Sequence, residues 1–177
     1  MRTGARGSLA VLVVAALLLS GCGAGGPAPQ AWASAVCEAL TPWRSEIGTL
    51  AERTQQQMTM KTTPAQAKEN LVRLFGGAES ASEAARAGVV KAGVPSVDGG
   101  DRVADGFVAS LSAMRDAYGR AKTGIQALPT SPADAFYTQV GAVVTTLNTE
   151  YGQSALDTST LDSVELKRAF DEVPECR

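Results

Sequence analysis

The chain of 177 residues contains no histidine. That absence excludes Ser-His-Asp and Cys-His nucleophilic sites and every zinc site built on imidazole. It also excludes the Glu-x-x-His pairs of di-iron bundles and removes the side chain that titrates nearest neutrality. No G-x-S-x-G elbow and no phosphate loop occurs, and none of the five lysines lies three residues after a serine. Aromatic residues make up 5%, and no stretch of useful length alternates apolar and polar residues as a strand would. The net charge of −2 carries no basic footprint for nucleic acid. With 45% hydrophobic and 19% charged residues the balance is that of a globular chain.

Acid is missing from the whole start of the sequence: no Asp or Glu precedes Glu38. Arg2 and Arg6 supply a basic beginning, and Leu9–Leu19 is an unbroken apolar run of eleven residues. As a helix that run spans about 16 Å, half of a hydrocarbon core, and is too short for a membrane span. Basic start, short apolar run and small residues form the secretory signal pattern. An Arg-Arg pair is absent, which favours the general secretory route. Gly21–Gly26 satisfies G-x-G-x-x-G by letter, but a strand does not precede it and a proline-containing segment follows, so no dinucleotide site is expected there.

Leu19-Ser20-Gly21-Cys22 resembles the lipobox of bacterial lipoproteins, in which a cysteine thiol receives a diacylglyceryl group and the chain is cut just before it. The resemblance implies cleavage after Gly21 and lipid attachment at Cys22. High alanine content and eleven arginines against five lysines add a looser similarity to the uncharacterised small lipoproteins of actinobacteria, one that implies no activity. Two acyl chains hold a protein at a membrane where one would not. Residues 1–21 are then a signal peptide, 22–30 a flexible tether and 31–177 the folded domain. Loss of Arg2 and Arg6 leaves fourteen basic against eighteen acidic residues, a charge of −4. Such a body does not favour anionic headgroups, so the lipid is the expected membrane contact. The expected location is the extracytoplasmic face of the cell membrane.

With Cys22 assigned to lipid, Cys37 and Cys176 remain, and export to an oxidising space makes their pairing the expectation. A loop that long stabilises the fold by about 5 kcal/mol in the chain-entropy model. A reactive or metal-binding thiol pair is the alternative, and it lacks both histidine and a C-x-x-C spacing.

Beyond the tether the apolar residues recur at three and four, the helical period. Trp32, Val36, Leu40, Trp43, Ile47 and Leu50 form the first stripe, which keeps phase across Pro42 and so favours a kinked helix over two. Thr63-Pro64-Ala65-Gln66 is a helix start, with Thr63 as cap, proline first and glutamine third. Leu71, Leu74, Phe75, Ala78, Ala81, Ala85 and Val89 follow, with Gly76-Gly77 a possible bend. Asp98 or Asp101 is the expected next cap, leading to the stripe Val103, Phe107, Leu111, Met114, Tyr118, Ala121, Ile125 and Leu128. Pro129 ends that helix, and Ser131-Pro132 begins another carrying Phe136, Val140, Val143, Leu147 and Tyr151. So short a link implies antiparallel neighbours. A shorter fifth helix is expected from Thr160 or Asp162, with Leu161, Leu166, Phe170 and Val173. The expectation is all-α: a bundle of four to five mostly antiparallel helices, closed by a disulfide.

No residue set points to a catalytic, cofactor or metal site. Asp98, Asp101 and Asp105 lack the spacing and closing glutamate of an EF-hand. Met58 and Met60 are too few for a copper site, and carboxylates meeting through space remain the one route to a hydrolase. Trp32 and Trp43 read as core, with an interfacial role for Trp32 as the alternative. The expected function is a non-enzymatic binding or scaffolding lipoprotein with an envelope protein partner. The alternative is a carrier of a small apolar ligand or lipid within the bundle, disfavoured by its alanine-rich core faces.

Overall fold

The computed structural model describes residues 25–154 and 161–177, all of whose regular structure is helical. Residues 1–24, with the expected signal peptide 1–21 and Cys22, lie outside the described residues, as do 155–160 with Thr160. Five helices follow in order: α1 Pro29–Gln57, α2 Pro64–Ala92, α3 Gly100–Ala127, α4 Ala133–Gln153 and α5 Val164–Glu172, with a 3₁₀ turn at Pro174–Cys176. The first four run up and down, joined by short turns, and α2 packs against both α1 and α3. The all-α bundle read from the stripes is the observed architecture.

Helix α1 is continuous through Pro42. The proline sits on an exposed face, where water can satisfy the carbonyl that loses its intrahelical donor. Helix α2 opens on the complete capping box: Thr63 Oγ1 accepts from the Gln66 amide at 3.3 Å, and Gln66 Oε1 accepts from the Thr63 amide at 3.0 Å. Helix α3 departs from the expected aspartate cap. Its N-cap is Gly99, in the left-handed region at φ 68°, while Asp98 and Asp101 stay exposed. A residue without Cβ enters that conformation at no steric cost, so the turn geometry selects glycine over a capping carboxylate. Helix α5 is capped by Ser163, whose Oγ accepts from the Leu166 amide at 3.2 Å, one residue beyond the expected Asp162.

The core has two halves that share the α2–α3 pair. Near the α2–α3 loop, Trp32, Val36, Leu40 and Trp43 of α1 meet Ala85 and Val89 of α2, Phe107, Leu111 and Met114 of α3, and Leu166 of α5. Toward the other end, Leu71, Phe75 and Ala78 pack on Ala117, Tyr118, Ala121 and Ile125, with Leu147 of α4. Trp32 has no exposed surface and stands edge-on to Phe107 at 5.5 Å between centroids, which removes the interfacial alternative. The α4 stripe is only partly covered. Phe136 and Leu147 are buried, Val140 and Val143 half-buried and Tyr151 exposed, because α4 packs chiefly on α3 alone.

Cys37 and Cys176 form the disulfide, with Cα atoms 5.0 Å apart, and so tie the 3₁₀ turn to α1. Ala33, Ala169 and Val173 pack beside it. Small residues set how closely α2 approaches α1. A Cβ added to Gly88 would stand 2.6 Å from Ala39 Cβ, and one on Gly77 would stand 2.7 Å from Leu50 Cδ1.

Two stability measurements follow from this packing. Gly88→Ala is expected to destabilise the fold by about 1–2 kcal/mol in urea denaturation, since α1 and α2 must separate and overpacking outweighs the gain in helix propensity. Gly106→Ala, where an added Cβ meets nothing within 4 Å, is expected to stabilise by about 0.5–1 kcal/mol. Equal signs for the two would refute the close-approach argument. Separately, the Cys37→Ser/Cys176→Ser double variant should lose about 3–5 kcal/mol of unfolding free energy, because 139 residues separate the bridged positions. A loss under about 1 kcal/mol would show that the loop constraint contributes little.

Candidate functional site

The α1–α2 seam that Gly88 closes at one point opens on its outer side into a groove of about 420 Å³. Its floor and walls are Ala39, Pro42 and Trp43 from α1 and Ala81, Ala84, Ala85 and Gly88 from α2. The small side chains are what make it a groove: both helices carry alanine or glycine at the positions that would otherwise fill the space. Two charged residues line it, and both are carboxylates, Glu38 and Glu46. They lie eight residues apart on one helix, about 12 Å along its axis. Both are exposed.

The floor is held rigid from below. Trp43 is buried, and its Nε1 donates to Ser82 Oγ at 3.0 Å; that hydroxyl in turn donates to the Ala78 carbonyl at 2.8 Å. The relay satisfies the indole and the buried serine together, so the aromatic plane has one position.

A second, smaller groove of about 240 Å³ lies between α3 and α4, over Ala117, Ala121, Val143 and Leu147, with Arg120 and Glu150 beside it. Those two charges pair across it, Nη2 to Oε2 at 3.1 Å, and leave it electrically closed. A polar cleft of about 470 Å³ lies at the α1–α2 turn, lined by Lys61, Asn70 and Arg73 among others. There the Arg73 guanidinium donates to the Asn70 side-chain oxygen.

The charged side chains of the α2–α3 seam cluster around Glu83. It accepts from Arg86 Nη2 at 2.6 Å and from Arg115 Nη1 at 2.8 Å, and Arg115 also pairs with Asp116. The hydrogen bonds from Arg86 and then Arg115 hold the Glu83 carboxyl down to about 2. Burial pushes the Tyr118 phenol up to about 12, helped by Tyr151 beside it. Lys122 pairs with Glu79 across the same seam. Glu83–Arg115 and Glu79–Lys122 stitch α2 to α3, while Arg86 and Asp116 pair within their own helices, so the cluster fits a structural part.

The residues singled out from sequence take the following places. Cys37 and Cys176 are bridged, and Cys22 lies outside the described residues. Asp98, Asp101 and Asp105 are exposed, and no group of three or more potential metal ligands occurs among the described residues. Met60 is fully exposed and Met58 half-buried. The expected tether 22–30 is shorter at its far end. Helix α1 starts at Pro29, and Pro27 is already hydrogen-bonded to the α2–α3 loop, its carbonyl accepting from the Ser96 amide at 2.9 Å. The groove itself escaped sequence reading. Its signal was the small size of residues on or beside two stripes, Ala39 on α1 and Ala81, Ala84, Ala85 and Gly88 on α2, which periodicity counts only as apolar or neutral. Among the described residues no helix is long and apolar enough to cross a membrane.

Comparison with family models, curated proteins and solved structures finds no match for the chain.

The Glu83 cluster makes a pH prediction. The depressed carboxyl contributes stability that is fully present above its ordinary value of 4.5 and lost as pH falls toward about 2. The melting temperature should therefore drop over that window, and Glu83→Gln should flatten the drop. An unchanged acid limb in the variant would show that the cluster does not set it.

Proposed function

We propose that this protein is a non-enzymatic binding or scaffolding lipoprotein. A diacylglyceryl group on Cys22 holds it at the extracytoplasmic face of the cell membrane, and it presents the α1–α2 groove to an envelope protein. Support for the anchor comes from the run Leu9–Leu19 and the Leu19–Cys22 motif, and the Cys37–Cys176 bridge suits an oxidising compartment. The groove is the observation that carries the binding reading: an apolar floor of small side chains over a fixed Trp43, flanked by two exposed carboxylates.

Its chemistry selects the partner. A helix laid in the groove would pack small or flat residues on Ala81, Ala84, Ala85 and Gly88, as amphipathic helices do in other grooves. Basic residues eight positions apart on that helix, about 12 Å, match the spacing of Glu38 and Glu46. The partner is therefore a basic helical segment. Charge complementarity of this kind sets partner choice and encounter rate more than raw affinity.

The test uses intact cells. A photo-cross-linking residue in place of Ala84, on the rim, should give one discrete adduct. The same residue in place of the exposed Ala109 on α3 should not. Glu38→Lys/Glu46→Lys should remove the Ala84 adduct while leaving the melting temperature within a degree or two. An adduct at Ala84 that survives the charge reversal would refute the basic-helix partner. Equal adducts at both sites, or none, would refute the groove as the binding face. The anchor is read separately: intact mass of the mature protein should begin at a lipidated Cys22, and Cys22→Ala should release it from membranes.

A further inference from the structure

The start of the folded chain is clamped to one end of the bundle. The Pro27 carbonyl accepts from the Ser96 amide at 2.9 Å. Gly26 lies so close to the same loop that an added Cβ would fall 1.7 Å from the Val94 carbonyl oxygen, an impossible approach for any side chain. Gly25 stands beside Ser96, whose Oγ would be 3.4 Å from a Cβ there. One turn into α1, Trp32 Nε1 donates to the Gly93 carbonyl at 2.8 Å, locking helix and loop together from the other side.

Three Cα–Cα steps separate Cys22 from Gly25, a reach of at most about 11 Å. A lipid on Cys22 therefore cannot let the body tumble at the end of a long leash. We infer that the α2–α3 loop end of the bundle faces the bilayer, with the long helices standing away from it; the inference rests on the lipid anchor proposed above. Two further features of this end agree with a bilayer as the occupant. Val90 and Val94 are both about half exposed there, 53% and 47%, an apolar pair on either side of the α2 C-terminus. The exposed charges around them, Lys91, Asp98, Asp101 and Arg102, are balanced in sign and present no repulsive face to anionic headgroups.

The opposite end is the α1–α2 turn at Thr59, one helix length away, about 43 Å for the 29 residues of α2. The groove of Glu38 and Glu46 lies between, with its axis along the membrane normal. A partner helix would dock upright beside the bundle, within reach of other anchored proteins.

The experiment uses the mature, lipidated full chain in vesicles of phosphatidylcholine and phosphatidylglycerol at three to one, with a fraction of headgroup-nitroxide lipid. An environment-sensitive fluorescent amino acid replaces either Val94 or Thr59. Quenching at position 94 should exceed that at position 59 by at least threefold. A twelve-residue Gly-Ser insert between Ala24 and Gly25 should bring the two toward equality. Equal quenching at native spacing in protein that floats with the vesicles would overturn the orientation and leave the anchor intact. A mature mass without the diacylglyceryl group would overturn the anchor and the orientation together. A concentration-dependent shift at position 94 without vesicles would assign this end to a second copy instead and overturn the bilayer as its occupant.

Discussion

The contact between Gly88 and Ala39 governs much of this molecule. Where a glycine meets an alanine, two helix backbones come closer than larger side chains permit, and α1 is drawn onto α2. Trp43 then reaches Ser82, and Trp32 reaches the Gly93 carbonyl at the foot of α2. The same economy of side chains that brings the helices together leaves the groove beside them. Close approach on the inside and open space on the outside are two results of one composition.

The polar stitching obeys a different logic on each seam. Between α2 and α3 it is ionic, centred on Glu83 and seconded by Glu79 with Lys122. Exposed pairs of this kind contribute little each, but a carboxylate held by two guanidiniums gains from sharing them. Between α1 and its neighbours the bonds come from the two indoles, to a buried hydroxyl and a partly buried carbonyl, and from the exposed Thr41 hydroxyl to the Glu175 carbonyl, together with the covalent bridge. Among the described residues no ion pair crosses the groove seam, and its two carboxylates face outward.

Much of the architecture was legible because the apolar period is simple. Phe107, Leu111, Met114, Tyr118, Ala121 and Ile125 are all buried, as their 4-3 spacing requires. The Thr63 box was legible because it is a local motif, with donor and acceptor three residues apart. The cap of α3 was not, since backbone handedness at Gly99 decided it and an aspartate on either side looked equally suitable. Tyr151 was read as interior because its phase is right, but phase does not reveal that α4 has one main neighbour. Arg115 joining Glu83 is a contact across 32 positions, and no local rule brings those two together. The candidate groove was hidden for a related reason: alanine in an apolar stripe reads as core until the helix opposite is known to be small there too.

The covalent bridge also decides which breaks in the chain the molecule can survive. Cys37 lies in α1 and Cys176 in the last turn, 139 positions further along the sequence. Ala33 of α1, Ala169 of α5 and Val173 close around the bond from both elements. Every turn between the helices therefore lies inside one covalent ring. A single backbone cut in any of those turns would leave both pieces joined, whereas a cut before Cys37 would free everything ahead of it.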